Sequence, residues 1–342
     1  MDPISQGALG AALATATRQR QKQLFTVAWV GALAGMAPDL DVLIQSPTDP
    51  LLFLEYHRQF THALIFIPFG ALLVAWPLHR LVGKVLSWRE TYLACLAGYA
   101  THGLLDACTS YGTQLFWPFT DVRVAWNNSS IVDPLFTLPV LALVVTAVIL
   151  NKRPFAIAAM GWAIAYLALG WIQQDRAMTV AQMQALERGH DPSRLTVKPS
   201  FGNIILFKSI YQHEGFYYVD AVRVGVQARW CDGSRIAQFD RAKSFAMLPA
   251  DSQQARDIER FRWFSDDYLA QDDAGRVIDM RYSMVPDAID AMWGIAVDTA
   301  TPDEHVKWWS SRQLGEAAYQ HFADLLLGRT CEPVILVKEQ RG

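Results

Sequence analysis

Charge is scarce in the first half of this chain, and cysteine is scarce throughout. Four cysteines in 342 residues exclude a disulfide-stapled miniprotein, and 16 prolines with 21 glycines exclude a low-complexity repeat. Residues 1–173 hold only 10 Lys and Arg and 9 Asp and Glu, whereas residues 174–342 hold 20 and 24. Neither half carries a basic field or a basic stripe interleaved with aromatics, so no nucleic-acid partner is expected. The second half also lacks a Gly-rich phosphate loop, a nucleophile elbow and a Cys-X-X-Cys pair. The composition changes near Gln173, which divides the chain into a membrane-embedded domain over 1–173 and a soluble domain over 174–342.

What the first half has in place of charge is apolar length. Crossing the hydrocarbon takes about 20 mostly apolar residues. Five spans are expected, at Leu24 to Ile44, His62 to Leu78, Thr91 to Cys108, Ile131 to Leu150 and Phe155 to Ile172. The fold class is thus an α-helical integral membrane bundle of about five transmembrane helices followed by a soluble α+β domain. With the N-terminus inside, the inner segments carry Arg18, Arg20, Lys22, Arg80, Lys84, Arg89, Lys152 and Arg153, against Arg58 and Arg123 outside. An odd number of spans then puts the polar half in the periplasm. A signal peptide built on Arg18, Arg20, Lys22 and the run from Leu24 is a competing reading. Residues Ile4 to Ala16 have the small apolar spacing of a helix that lies in the interface or enters the bundle.

Ionisable groups in such segments are costly and mark function by default. They come in clusters here. Asp39 and Asp41 follow Pro38 at the end of span one. His57, Arg58 and His62 stand at the entry to span two. His102 and Asp106, four apart and on one helix face, lie late in span three, and Asp133-Pro134 opens span four. Spans one and three carry their acids at the end and spans two and four at the start, so all four groups fall at one outer face. His and Asp at one level are a first shell for a divalent metal, with enough ligands for two ions. The metal set is Asp39, Asp41, His57, His62, His102 and Asp106. Each member has a plainer alternative: His102 and Asp106 can hydrogen bond within their helix, Asp133 reads as a helix cap, and His79 as an interfacial anchor. His190, His213, His305 and His321 have no spacing that signals a site.

Pro38-Asp39-Leu40-Asp41, His57-Arg58, Thr61-His62, His102 with Asp106, Thr109-Ser110-Tyr111-Gly112-Thr113 and Trp117-Pro118 together resemble the YdjM-type family of membrane-bound, metal-dependent hydrolases of bacteria. The resemblance covers about the first 140 residues. It implies an inner-membrane hydrolase related to phospholipase-like zinc enzymes, and one member of the family binds the LexA repressor. Many members carry a His near the N-terminus where this chain has Gln6, whose carbonyl oxygen suits a harder ion such as Mn²⁺ or Mg²⁺ better than zinc.

The chemistry expected is hydrolysis by metal-activated water at a lipid-linked or amphiphilic ester or phosphodiester, with zinc first and Mn²⁺ or Mg²⁺ as alternatives. Asp39, Arg58 and Asp106 are the catalytic candidates. A non-ligating Asp serves as base, and Arg58 binds an anionic substrate group or else anchors to lipid headgroups. The aromatic loop Thr109 to Ser130 reads as an interfacial lid or a belt that seats the bundle. The rival class is a regulatory or partner-binding membrane protein whose metal cluster is structural.

In the polar half, Asn203 to Ile210 and Phe216 to Val226 predict a hairpin turning at Glu214-Gly215, with further strands at Arg276 to Val285 and Pro333 to Val337. Ser310 and Gln313 predict a capping box, and Gly328 ends the helical run Ala317 to Leu327. Trp263, Phe264, Trp293, Trp308 and Trp309 read as core. Cys95 and Cys108 lie roughly 20 Å apart on one helix and cannot bridge. Cys231 and Cys331 are left as either paired or free.

Overall fold

A computed structural model describes residues 1–18, 23–312 and 315–333. Arg20, Lys22, Gln313 and most of the strand expected at Pro333 to Val337 lie outside the described residues. The chain divides into two units, Met1–Ile44 with Glu55–Trp171 and Phe201–Asn203, and Gln45–Leu54 with Ile172–Ser200 and the remainder from Ile204.

The first unit is helical. Its elements are α1 (Pro3–Thr17), α2 (Leu24–Met36), a 3-10 turn (Ala37–Leu43), α3 (Leu52–Tyr56, shared with the second unit), α4 (Ile67–Val82), α5 (Trp88–Ala107), α6 (Pro134–Ile149) and the first part of α7 (Arg153–Glu187). Asp2 caps α1 by accepting from the Ile4 and Ser5 amides, and Pro3 opens it. Ser87 and Glu90 close a capping box on α5. Of the two places left open for α1, the bundle interior is the one it takes, since Ser5 to Ala12 are all buried. Glycines bring α1, α2 and α5 together: a Cβ at Gly10 would stand 2.6 Å from the Gly31 carbonyl oxygen, and one at Gly98 would collide with the same oxygen. Small residues let helix backbones touch where lipid supplies no hydrophobic drive.

Three helices are long and apolar enough to cross a membrane, Leu24–Leu43, Leu64–Val82 and Arg153–Glu187, and Pro134–Ile149 is a shorter apolar one. The expected third span is the 20-residue helix α5, but it is set apart from these by its polar residues and faces the bundle interior along Thr91, Cys95, Tyr99, His102 and Asp106. The expected fifth span runs on without a break past Gln173 to Glu187.

One topological expectation is corrected. Arg18 pairs with Glu90 at the start of α5 at 3.0 Å, whereas the Met1 amine meets Asp106 at its end. The antiparallel α1 therefore places Met1 and Arg18 at opposite ends of the bundle, and the first residues do not share the side of the basic loop. The Arg153 Nε donates to Ala16 O at 2.6 Å, so Arg153 joins Arg18 at the end away from Asp106.

The second unit is α+β. An antiparallel sheet in the order β1-β2-β3-β4-β9 comprises Arg194–Pro199, Leu206–His213, Phe216–Val224, Ala228–Ala237 and Glu332–Pro333. A second antiparallel sheet runs β5 (Leu269–Gln271), β6 (Val277–Asp279), β7 (Trp293–Ala296) and β8 (Lys307–Ser310). Helices α8 (Arg241–Ser244), α9 (Gln253–Phe264) and α10 (Glu316–Leu327) complete it.

The expected hairpin is β2-β3, turning where Glu214 and Gly215 both have positive φ. Strand alternation buries both faces of the larger sheet. Phe207, Val222 and Val224 pack under Ala177, Val180 and Ala181 of α7, while Ile210, Tyr217 and Val219 meet Ile278 and Met280. Gly328 ends α10 in the left-handed conformation as expected, but the cap at its start is Gly315 and not Ser310. Trp293 and Phe264 are core, whereas Trp263 is exposed. Cys231 and Cys331 form a disulfide, and Cys95 and Cys108 are free.

Candidate metal centre

Three separate elements deliver one group of side chains. The 3-10 turn after α2 carries Asp39 and Asp41, the segment after α3 carries His57, Arg58 and His62, and the last two turns of α5 carry His102 and Asp106. Pro38 within the apolar run converts the helix to a tighter turn, which brings both carboxylates to the bundle end.

The inner group is Asp39, His62, His102 and Asp106, with one ligand atom of each within 4.8 Å of the others. His62 Nε2 lies 3.0 Å from His102 Nε2, 3.2 Å from Asp106 Oδ2 and 3.6 Å from Asp39 Oδ1. His102 Nε2 lies 3.3 Å from Asp39 Oδ1 and 3.6 Å from Asp106 Oδ2. A tetrahedral ion with ligand bonds of about 2.0–2.1 Å separates its ligands by about 3.3–3.4 Å. The described residues thus fit a four-coordinate N₂O₂ site. Asp106 Oδ2 is buried with no well-aligned hydrogen bond, its nearest cation being Arg58 Nε at 3.0 Å, and remains able to face an ion. The alternative of an intrahelical His102–Asp106 hydrogen bond is set aside by their 3.6 Å separation.

A second layer fixes the imidazoles. His102 Nδ1 donates to the Gly35 carbonyl at 2.5 Å, leaving Nε2 as the lone-pair nitrogen. Thr61 Oγ1 donates to Asp41 Oδ2 at 2.7 Å and accepts from His62 Nδ1 at 2.9 Å, with the same consequence for His62. Asp41 also accepts from the Arg58 amide at 3.0 Å and pairs with His57 Nδ1 at 2.7 Å. Asp41 and His57 therefore stand behind the inner four, although with Asp39 they form a second group with metal-ligand spacing.

Arg58 is neither a lipid anchor nor free in solvent. It is buried, holds φ of 63°, stands 3.0 Å from Asp106 Oδ2, donates to Thr109 Oγ1 at 3.1 Å and lies over the Tyr111 ring at 4.8 Å. A left-handed non-glycine at such a place is strain held by its surroundings. Gln6 points its amide rather than its carbonyl at the centre: Nε2 donates to Asp106 Oδ1 at 2.9 Å and to His102 O at 3.3 Å.

Asp133 lies outside the cluster. It caps α6 and accepts from the Tyr166 hydroxyl at 2.8 Å. His79 is not solvated as expected, but sits between α4 and α5, 3.0 Å from Thr91 Oγ1. The loop from Thr109 to Ser130 is tied down by the Thr113–Val124 bridge and by Asn128 N donating to Cys108 O at 3.0 Å, with Phe116 and Phe119 exposed. Sequence reasoning missed the supporting roles of Gly35, Thr61 and Thr109. Thr61 and Thr109 carried a signal, as members of the motifs quoted above, whereas Gly35 carried none.

No curated protein and no solved structure matches this chain. The model of the YdjM inner membrane protein family matches residues 1–177, just over half of the sequence and all of the cluster. With its apolar helices and its His/Asp centre at the end of the bundle, this chain belongs to the YdjM inner membrane protein family.

Proposed function

We propose that this membrane protein is a metal-dependent hydrolase whose ion is held by Asp39, His62, His102 and Asp106. The observation that carries the reading is the spacing of four donor atoms, all within 4.8 Å of one another and with both imidazole Nε2 atoms 3.0–3.6 Å from each other and from the two carboxylates. Two imidazoles and two carboxylates in that spacing suit zinc, whereas Mg²⁺ and Mn²⁺ favour octahedral, oxygen-rich shells. A divalent ion there supplies Lewis acidity toward water and toward a carbonyl or phosphoryl oxygen.

The chain's own groups divide the remaining work. Asp39 is the one partly open member, with 23% of its side chain exposed, so it stands where substrate enters and is the ligand whose displacement would open a coordination position for water. Arg58 neutralises Asp106 and offers its remaining donors to an anionic substrate group. Asp41, with Thr61, orients His62. Exposed Leu40 and Leu43 flank the carboxylates, and exposed Phe116 and Phe119 extend the apolar rim, which favours an amphiphilic or lipid-linked ester or phosphodiester.

The remaining parts of the proposal concern topology. About five spans, a centre at the outer face and a periplasmic C-terminal domain agree with Arg18 and Arg153 gathering at the end opposite the cluster. The Cys231–Cys331 disulfide fits an oxidising compartment.

The test is turnover. Detergent-purified protein loaded with Zn²⁺, Mn²⁺ or Mg²⁺ is assayed on amphiphilic phosphodiesters and esters beside Asp39→Ala. Metal-dependent hydrolysis reduced by about a hundredfold or more in the variant supports the reading. Full metal content without turnover on either class favours the structural-cluster, partner-binding alternative.

A further inference from the structure

The second unit holds a buried amine that the metal centre does not use. Lys208 sits on the inner face of β2, opposite Ala221, and is 4% exposed. Its Nζ donates to Ser283 Oγ at 2.8 Å and to the Ala288 carbonyl at 2.8 Å. Among the described residues no carboxylate lies within ion-pair distance of it, since Asp287, Asp279, Asp290 and Asp220 act only from further away. Asp287 is itself engaged by His321 Nε2 at 2.7 Å. A buried lysine served only by neutral partners is unusual for a structural cation.

Ser283, by contrast, keeps part of its surface open. Its hydroxyl donates to Val285 O at 2.6 Å while Lys208 is charged. The loop around it is held shut by the Ser283–Ala291 bridge and by Met292 N donating to Tyr282 O at 3.1 Å. The serine is therefore pinned beside the amine.

We propose that Ser283 and Lys208 form a nucleophile and general-base pair that performs acyl transfer on carboxylic esters, separate from the metal centre. Neutral Lys208 keeps one N–H on Ala288 O and accepts the Ser283 proton as Oγ attacks the ester carbonyl. The Oγ–acyl bond forms, the ester C–O bond breaks, and the alcohol leaves with the proton from Lys208. Water then attacks the acyl-serine, returns a proton to Oγ through Lys208 and releases the carboxylic acid. No oxidant or cofactor is required. Burial pushes the Lys208 ammonium down to about 7, which supplies a neutral amine near physiological pH.

The experiment is covalent labelling of the full-length, detergent-purified protein with a fluorophosphonate, which bonds to Oγ and expels fluoride. The wild type is expected to carry the adduct on Ser283, identified by peptide mass spectrometry, at a rate that rises with pH and levels off above about 7. Lys208→Arg keeps the charge but removes the base, and is expected to lower the rate by about a hundredfold or more with the fold retained by circular dichroism. Asp39→Ala is expected to label as the wild type does, which separates this pair from the metal centre. Absence of a Ser283 adduct on the folded wild type overturns the proposal, as does labelling of Lys208→Arg at the wild-type rate and pH profile.

Discussion

His62 and His102 face each other through their Nε2 atoms at 3.0 Å, with ring planes 74° apart. Each ring donates its Nδ1 proton elsewhere, His62 to Thr61 and His102 to Gly35. At that distance the two Nε2 atoms share either a proton or a metal ion. The carboxylates of Asp39 and Asp106 close the other two corners. That arrangement is why the cluster reads as a metal centre rather than as a buried polar network.

Asp41 orients His62 from behind, so its replacement is expected to weaken the metal without abolishing the site. Asp41→Asn should lose about 10–100-fold in affinity for Zn²⁺, measured by competition with a chelating dye. An unchanged affinity removes Asp41 from the supporting shell, and a total loss promotes it to a ligand.

The contact of α1, α2 and α5 depends on absent side chains. Gly98→Leu drives a side chain into the Gly31 carbonyl and is expected to cost about 2 kcal/mol or more, read as a lowered unfolding midpoint in detergent. Leu93→Ala, on an exposed position of the same helix, serves as the control and should change little.

Much of this centre was legible because ionisable residues are conspicuous in apolar segments. Asp39, His62, His102 and Asp106 could be placed at one level from chain direction alone. Which of Asp39 and Asp41 faces the ion was not legible, because the choice is made by the 3-10 turn and by the Thr61 hydroxyl. The interior place of α1 was equally hidden, since its Ala and Gly residues suit an interface as well as a bundle. In the polar half, alternation marked β2 and β3 and the expected strand at Arg276 to Val285 contains β6, but the short strands β5, β7 and β8 leave little local pattern.

Lys198 and Lys208 give the second unit a pH dependence of definite sign. Burial lowers both to about 7 from 10.5. Between those values the unfolded chain binds protons that the folded one does not, so stability rises with pH across that window, and below about 7 the penalty is complete. The gain is up to about 2–3 kcal/mol per lysine from pH 7 to 9. Urea unfolding followed by tryptophan fluorescence should show the rise in the wild type and a smaller one in Lys208→Met. Equal slopes contradict the assignment.

The Cys231–Cys331 bridge spans 100 residues and ties β4 to the segment after α10. Cys331→Ser is expected to destabilise this unit by about 2–5 kcal/mol in chemical denaturation. The wild type should resist alkylation at both positions until it is reduced, and ready alkylation of either without reductant contradicts the pairing.

The most direct test of the metal centre is elemental analysis of detergent-purified protein, wild type beside the His102→Ala/Asp106→Ala double variant, after exposure to Zn²⁺, Mn²⁺ and Mg²⁺. The expected result is about one equivalent of zinc per chain in the wild type, lost in the double variant while its helical circular dichroism is retained. A wild type that holds no metal, or a folded double variant that holds as much as the wild type, contradicts the central claim.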